Sequence, residues 1–476
     1  MNNPSATLTS TLPARLDALP WSRWHWRVVA ALGITWILDG LEVTVVGSLG
    51  GVLQEPGALA LSAQQVGWAG SAYVAGAVIG ALVFGRLADR LGRRPLFLVT
   101  LSIYLVATLL TAATFDFESF ALCRLLTGLG IGGEYAAINS AIDELIPARV
   151  RGLVDLAING SFWVGAAAGA GLSVVVLDPD RFAVDVGWRV AFALGAVLAI
   201  AILLVRRNLP ESPRWLMTRG RLDEAERVIT GIETAVEREH GPRPESRDGF
   251  TIRVRAHASW LEIVTLLLKR YRRRALLGFV LMASQAFFYN AIFFTYALVL
   301  TTFYGVAAES VGYYIFPFAI GNFLGPLLLG QLFDTVGRRR AIAATYAIAG
   351  IGLLVSGYAF AHGWLDARTQ TLCWSAIFFF ASAAASSAYL TVSEIFPLEI
   401  RAIAISIFYA IGTGVGGFVG PALYGALIDT RSRDALFVGY AVAGALMVLA
   451  AVVAALLGVD AERKSLETVA RPLSAV

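Results

Sequence analysis

The sequence predicts an all-α integral membrane protein, twelve transmembrane helices in two pseudo-symmetric six-helix bundles. Three observations carry this. Of 476 residues, 57% are hydrophobic and only 15% are charged, too few charges for a soluble domain. The apolar residues fall in about twelve blocks, each near the ~20 residues that cross a bilayer. A ten-residue signature occurs twice: Gly85-Arg-Leu-Ala-Asp89-Arg-Leu-Gly92-Arg93-Arg94 returns as Gly330-Gln-Leu-Phe-Asp334-Thr-Val-Gly337-Arg338-Arg339. A second, Glu144-Leu-Ile-Pro147 then Arg151, returns in the same order as Glu394-Ile-Phe-Pro397 then Arg401. The chain therefore reads as two copies of one unit.

Hydropathy places the blocks of the first half at roughly 27–51, 65–85, 95–115, 119–142, 152–177 and 188–206. Those of the second half fall at roughly 275–300, 310–331, 340–361, 369–392, 402–428 and 435–458. Only helices satisfy their own backbone in lipid without closing a barrel, so all read as helices. The first block follows a polar tail of about 26 residues and has no small-residue cleavage site, so it reads as a retained helix. The expected divisions are a tail 1–26, a bundle 27–206, a linker 207–273, a bundle 274–458 and a tail 459–476.

Within the linker, Leu222, Ala225, Val228, Ile229 and Ile232 repeat at helical spacing. A loose stretch from Gly241 to Asp248 follows. Trp260, Ile263, Val264, Leu267 and Leu268 then share a face. The span is too short for its own core. Both amphipathic helices are expected to lie on the membrane surface, with Lys269 to Arg274 anchoring the next span.

The net charge is +4, but its distribution argues against nucleic acid. About 32 of the Lys and Arg residues fall on one side, which the positive-inside rule makes cytoplasmic. Arg181, Arg189, Arg368, Arg431 and Arg433 fall opposite, and Arg124 lies within a helix. Both termini are thus expected in the cytoplasm. The two cysteines, Cys123 and Cys373, lie within membrane blocks and suit neither a structural disulfide nor a metal site. No Ser-His-Asp set or phosphate loop is present, and the glycines of Gly128-x-Gly130-x-Gly132-Gly133 lie in the membrane with no preceding strand.

In combination these motifs resemble the major facilitator superfamily, in its sugar-porter-like and metabolite:proton symporter branch. The likeness rests on the doubled Gly-x-x-x-Asp-x-x-Gly-Arg-Arg turn and on Arg124 opening a Gly-rich fourth helix. Pro210-Glu-Ser-Pro-Arg214 after the sixth helix, Ser393-Glu-Ile-Phe-Pro397 and Glu462-Arg-Lys-Ser-Leu-Glu467 also carry it. The chain departs from sugar porters where Ser386 and Tyr389 fill Pro and Trp places, where Ser284-Gln285 replaces a Gln pair, and in a tail without Pro-Glu-Thr. Asp39-Gly-Leu-Glu42 is instead similar to bacterial organic-anion symporters, and Gly132-Gly-Glu-Tyr135 to metabolite–proton symporters.

The resemblance implies an alternating-access transporter importing a small polar organic solute, a sugar or polyol or an organic acid, with protons. A proton-driven exporter and a transporter-derived receptor stay open as alternatives; no enzyme is expected. No cofactor beyond the coupling proton, no metal and no nucleic-acid partner is expected. The protein is expected to act as a monomer in a bacterial inner membrane.

Charge inside a bilayer costs about 2.5–3.5 kcal/mol per group and marks function. Asp39 and Glu42 share a helix face at i, i+3. Burial disfavours the charge of a lone carboxylate and a nearby Arg favours it, so exchange of Arg124 for a proton is a candidate switch. Glu134, ten residues past Arg124 and so about 15 Å along the helix, is a second candidate, or else a tie to a neighbouring helix. Asp155 reads as the partner of Arg151 one turn earlier. By resemblance, Asn159, Ser284, Gln285, Asn290 and Tyr389 surround the substrate, with Tyr289, Tyr296, Asn322, Ser387 and Trp374 nearby. Asp89, Arg93, Glu144, Arg151, Asp334, Arg338, Glu394 and Arg401 are expected to form cytoplasmic charge clusters that latch the halves.

Overall fold

The computed structural model describes residues 7–49, 52–178, 180–206, 209–241, 250–253, 260–293, 295–306 and 310–473. A short strand β1 (Thr7–Ser10) and a helix α1 (Leu12–Ala18) precede the first long helices. These are α2 (Arg23–Leu49), α3 (Ala63–Leu91), α4 (Arg93–Thr111) and α5 (Phe117–Leu145). The fifth span is split into α6 (Arg151–Gly160) and α7 (Phe162–Val176), and α8 (Val184–Arg206) is the sixth. The linker holds α9 (Pro213–Thr218), α10 (Leu222–His240), β2 (Phe250–Arg253) and α11 (Trp260–Thr265). The second half begins with α12 (Arg272–Phe293) and α13 (Tyr296–Tyr304), followed by α14 (Val311–Thr335) and α15 (Arg338–Ala361). It ends with α16 (Ala367–Glu394), α17 (Arg401–Asp429), α18 (Arg433–Leu457) and the short α19 (Leu466–Val469).

Among the described residues, nine helical spans are long and apolar enough to cross a membrane. The helix α5, the α12–α13 pair and α17 occupy the three remaining places. The outer faces expose large apolar side chains such as Leu109, Leu122, Val197, Val355 and Leu456, as lipid-facing surfaces do.

The two halves are packed alike. In the first, α2 lies against α7, and α5 against α3 and α4; in the second, α12 lies against α17, α14 against α16 and α15 against α18. Glycine sets the closest of these approaches. A Cβ on Gly128 or Gly132 of α5 would overlap the backbone oxygens of Tyr73 and Ala77, and one on Gly76 or Gly80 of α3 those of Leu125 and Leu129. This is small-residue interleaving at i, i+4. The halves meet where α3 crosses α17 and where α6 and α7 cross α14. At the matched turns α3–α4 and α14–α15, Gly92 (φ 103°) and Gly337 (φ 110°) take left-handed backbone that other residues resist.

Several sequence expectations change. The N-terminal tail is not merely polar: Leu12, Leu16 and Leu19 are buried against Trp215, Leu216, Met217 and the apolar face of α10. That face (Ala225, Ile229, Ile232, Val236) is therefore covered by protein, not by a membrane surface. Arg15 fixes the contact, 2.6 Å from Glu226 and 2.5 Å from Glu233. Beyond it, β1 pairs antiparallel with β2, the one departure from all-α among the described residues. Residues 242–248 of the expected loose stretch lie outside the described residues. Of the second expected face, Ile263 and Leu267 are buried in the protein core, while Val264 and Leu268 stay exposed, at 43% and 66%, so only part of that face is left for a membrane surface. The fifth and seventh spans, each expected as one block, are two helices each.

Gly128→Leu should abolish recovery of monodisperse protein in detergent, because its side chain must displace α3 backbone. Gly171→Ala, with nothing within 4 Å of its added carbon, should keep or raise the thermal midpoint, by up to about 1 kcal/mol. Size-exclusion profiles and thermal unfolding check both.

Candidate functional site

A cavity of about 630 Å³ lies between the halves. Its polar wall is built from Asp39 (α2), Tyr73 (α3), Arg124 (α5), Asn159 (α6), Gln285 and Asn290 (α12), Ser382 and Ser386 (α16) and Thr413 (α17). Trp36, Phe162, Trp163, Tyr289 and Phe293 supply apolar area. From there the cavity continues past Gly47, Leu53, Val66, Gly67 and Phe120, toward the ends of α2, α3 and α5 remote from the Gly-Arg-Arg turns. In the other direction it stops at an aromatic floor drawn from both halves. Tyr135 lies 4.6 Å from Trp36 and 4.5 Å from Tyr409 between ring centroids, and Tyr389 closes the group at 5.8 Å from Trp36.

The charged residues of α2 and α5 divide into separate units. Glu42 and Arg124 form a buried ion pair at 2.5 Å. Asp39 does not join it. Its Oδ1 accepts from the Tyr73 hydroxyl at 3.0 Å and its Oδ2 from the Tyr135 hydroxyl. No ion pair to Asp39 is formed among the described residues. Arg124 lies over the Tyr73 ring, 4.6 Å from its centroid, so the two units touch through that tyrosine. Glu134 lies apart, 2.7 Å from Arg206 at the end of α8, with the Thr100 hydroxyl at 3.3 Å. This is the helix-tying arrangement; in the sequence Arg206 reads as an end-of-helix topology charge.

Of the expected substrate residues, Asn159, Gln285, Asn290 and Tyr389 line the cavity. Ser284 does not; it is buried one position away on the same helix. Tyr289 lines the cavity and donates to Asn322 Oδ1 at 2.7 Å behind it. Tyr296 bonds Thr371 and packs on Trp374, and Ser387 donates to the Ala384 carbonyl, so these three belong to packing. Tyr73, Trp36 and Trp163 were missed. Only neighbouring helices, not spacing, bring them to one space.

At the opposite end, the repeated signatures interlock across the halves. Asp89 Oδ1 and Oδ2 accept from the N–H groups of Ala402 (3.3 Å) and Ile403 (3.0 Å), which open α17. Asp334 does the same to α6, accepting from Gly152 (3.1 Å) and Leu153 (2.7 Å). The first N–H groups of a helix lack intrahelical partners and carry its positive dipole end, so each is a natural anion seat. Behind each aspartate stands an arginine: Arg93 reaches Asp89 (3.4 Å) and Glu144 (2.7 Å), and Arg338 reaches Asp334 (2.8 Å) and Glu394 (2.9 Å). Arg151 and Arg401 then cross the interface to Glu394 (3.4 Å) and Glu144 (3.8 Å). The expected Arg151–Asp155 pair does not form, because Arg151 is taken by Glu394 and Asp17.

The linker and tails extend this layer. Glu211 caps α4 through the N–H groups of Arg93 and Arg94, at 3.0 and 3.1 Å, and Glu462 faces the Arg338 N–H at 3.3 Å. Arg214 joins Asp17 (3.0 Å) to Glu467 (2.7 Å), tying both tails to the linker. Burial, the largest influence, pushes the Asp17 carboxyl up, yet Arg214, Arg151 and the Ala148 N–H together hold it below its ordinary value.

A lowered acid stabilises the fold above its unfolded value and loses that contribution as pH falls through its folded value. Asp17→Asn should therefore cost about 1–3 kcal/mol at pH 7. The difference from the parent should shrink only below pH about 4, as thermal unfolding across pH will show.

The family profile described as sugar (and other) transporter matches residues 24–472. The chain is 27% identical over 459 residues to the niacin transporter NiaP of Acinetobacter baylyi, covering 96% of this chain and 99% of that one. It is 26% identical over 416 residues to the D-xylose transporter of Levilactobacillus brevis, covering 85% and 87%. Among solved structures, the proton:xylose symporter XylE superposes with a TM-score of 0.78 at 20% identity, over 94% of this chain and 98% of that one.

Proposed function

The chain belongs to the sugar (and other) transporter family of the major facilitator superfamily and is a multi-pass membrane transporter, not an enzyme; from that premise we infer that it imports a small polar organic solute together with protons. The observation that carries this reading is Asp39: a buried carboxyl group on the cavity wall, held by two tyrosine hydroxyls and, among the described residues, by no cation. An isolated carboxylate in low dielectric takes up a proton. Water in the open arm of the cavity is its source.

The charge distribution makes the signature end cytoplasmic. The chain is then outward-facing, closed inside by the interlocked signatures, with the cavity reaching the outer face of a bacterial inner membrane. Asp39 takes a proton from that side and solute settles among the amides of Asn159, Gln285 and Asn290. Amides both donate and accept, which suits hydroxyls and carboxylates, while Trp36 and Trp163 offer flat apolar faces. Relatives described as transporters of niacin and D-xylose support a solute of this size. With Asp39 neutral and the cavity filled, the interlocked layer opens and the halves rock about the site. Loss of the proton inside leaves a carboxylate that the Arg124 guanidinium, across the Tyr73 ring, is placed to steady until the return. The Glu42–Arg124 pair keeps that cation at the site; Glu134 with Arg206 holds α5 to α8.

Asp39→Asn should abolish accumulation of solute driven by a pH gradient in proteoliposomes yet spare solute exchange; full accumulation by the variant would exclude Asp39 as the coupling group. A panel of sugars, polyols, aromatic acids and short carboxylates identifies the solute. For it, Gln285→Ala should weaken binding by about 1–3 kcal/mol, read by calorimetry; unchanged affinity would mean the solute sits elsewhere.

A further inference from the structure

A second buried carboxyl group, on α6 below the cavity, has no partner among the described residues able to hold its charge. We propose that Asp155 is a second proton-binding group, which keeps a proton while the interlocked layer is closed and releases it when that layer opens. The idea rests on the proton-coupled reading above.

Asp155 is fully buried. Asp143 from α5, Glu394 from α16, Asp334 from α14 and Arg338 from α15 stand close enough to act on its charge. Three are acids, and Arg338 is already engaged by two of them, Asp334 and Glu394. Arg151, one turn away on the same helix, is drawn off to Asp17 and Glu394. Among the described residues Asp155 Oδ1 has no hydrogen-bond partner, and Oδ2 receives the Asn159 amide alone, at 3.2 Å. A carboxylate so placed neutralises itself, because ionisation in low dielectric beside other acids is opposed by both desolvation and repulsion.

The group is wired to both ends of the transport cycle. Upward, Asn159 lines the cavity, and its Nδ2 also touches Asn139 Oδ1 at 3.3 Å. Asn139 donates to the Tyr135 carbonyl at 2.8 Å, and the Tyr135 hydroxyl donates to Asp39. Tyr135, Asn139 and Asp143 follow at i, i+4 and i+8, so one face of α5 carries a polar stripe from the cavity to the interlocked layer. Downward, the Leu153 N–H, two residues before Asp155, is the seat of Asp334. Asp334, Arg338 and Glu394 all belong to the second half, so opening removes them together and admits water. The carboxyl O–H bond then breaks, water accepts the proton, and the carboxylate left behind is hydrated.

The test uses the proton alone as ligand. Infrared spectra of the substrate-free, full-length protein should contain a protonated-carboxyl band at pH 7 that persists in Asp39→Asn, is missing from Asp155→Asn and is shifted but still titratable in Asp155→Glu. Asp334→Asn, which frees the start of α6, should lower the titration midpoint of that band by a pH unit or more. Asp89→Asn, at the other crossing, repeats this arm should the first variant fold poorly. An unchanged band in folded Asp155→Asn, or no such band in the parent, would overturn the proposal. Solute uptake by the parent without proton movement would instead sink the proton-coupled reading while leaving the band in place.

Discussion

Two aspartates seated on the helix starts of the opposite half govern this structure. Asp89 and Asp334 each satisfy two N–H groups, at the openings of α17 and α6, that would otherwise be orphaned at a buried interface. Both are nearly buried, at 6% and 4% exposure, and the seats exist only while the halves are closed at that end. The cavity opens at the other end because of it: helices of fixed length joined at one end diverge toward the other.

The same interaction explains how a closed state is held without being locked. A buried ion pair gains little net stability, because desolvation offsets most of its attraction. Here four arginines and four acids of the repeated signatures share one layer, and water can replace each contact on opening. In the proposed cycle such a layer suits two states near balance, which a proton or a solute of modest differential affinity can shift. The tails and the linker weight the closed side: Arg214 joins Asp17 to Glu467, and Glu211 and Glu462 mark corresponding turns of the two halves.

The fold was legible because a bilayer demands long apolar helices and because the repeat prints its symmetry twice. The charged layer was legible as a set of residues but not as a set of bonds. Sequence pairs an acid with the nearest base, as with Asp155 and Arg151, whereas the structure gives the aspartates to backbone N–H groups some 180 to 310 positions away. Arg206 is indistinguishable in sequence from the topology charges, and Asp143 stands beside the motif residue Glu144. The α1 helix left a signal in Leu12, Leu16 and Leu19, but three leucines in a polar tail predict a buried face only when its partner is known. In the cavity, amides on α12 stood out as polar residues in an apolar run. Trp36, Tyr73 and Trp163 did not, since an aromatic residue in a membrane helix reads equally as packing.

Distance measurement between spin labels tests the central claim most directly. With the native cysteines replaced, labels at Leu91 and Val336, exposed at the closed end, should give one short, narrow distribution. In the Asp89→Asn, Asp334→Asn double variant a longer population should appear without added solute. An unchanged distribution in that variant, at any pH, would contradict the account.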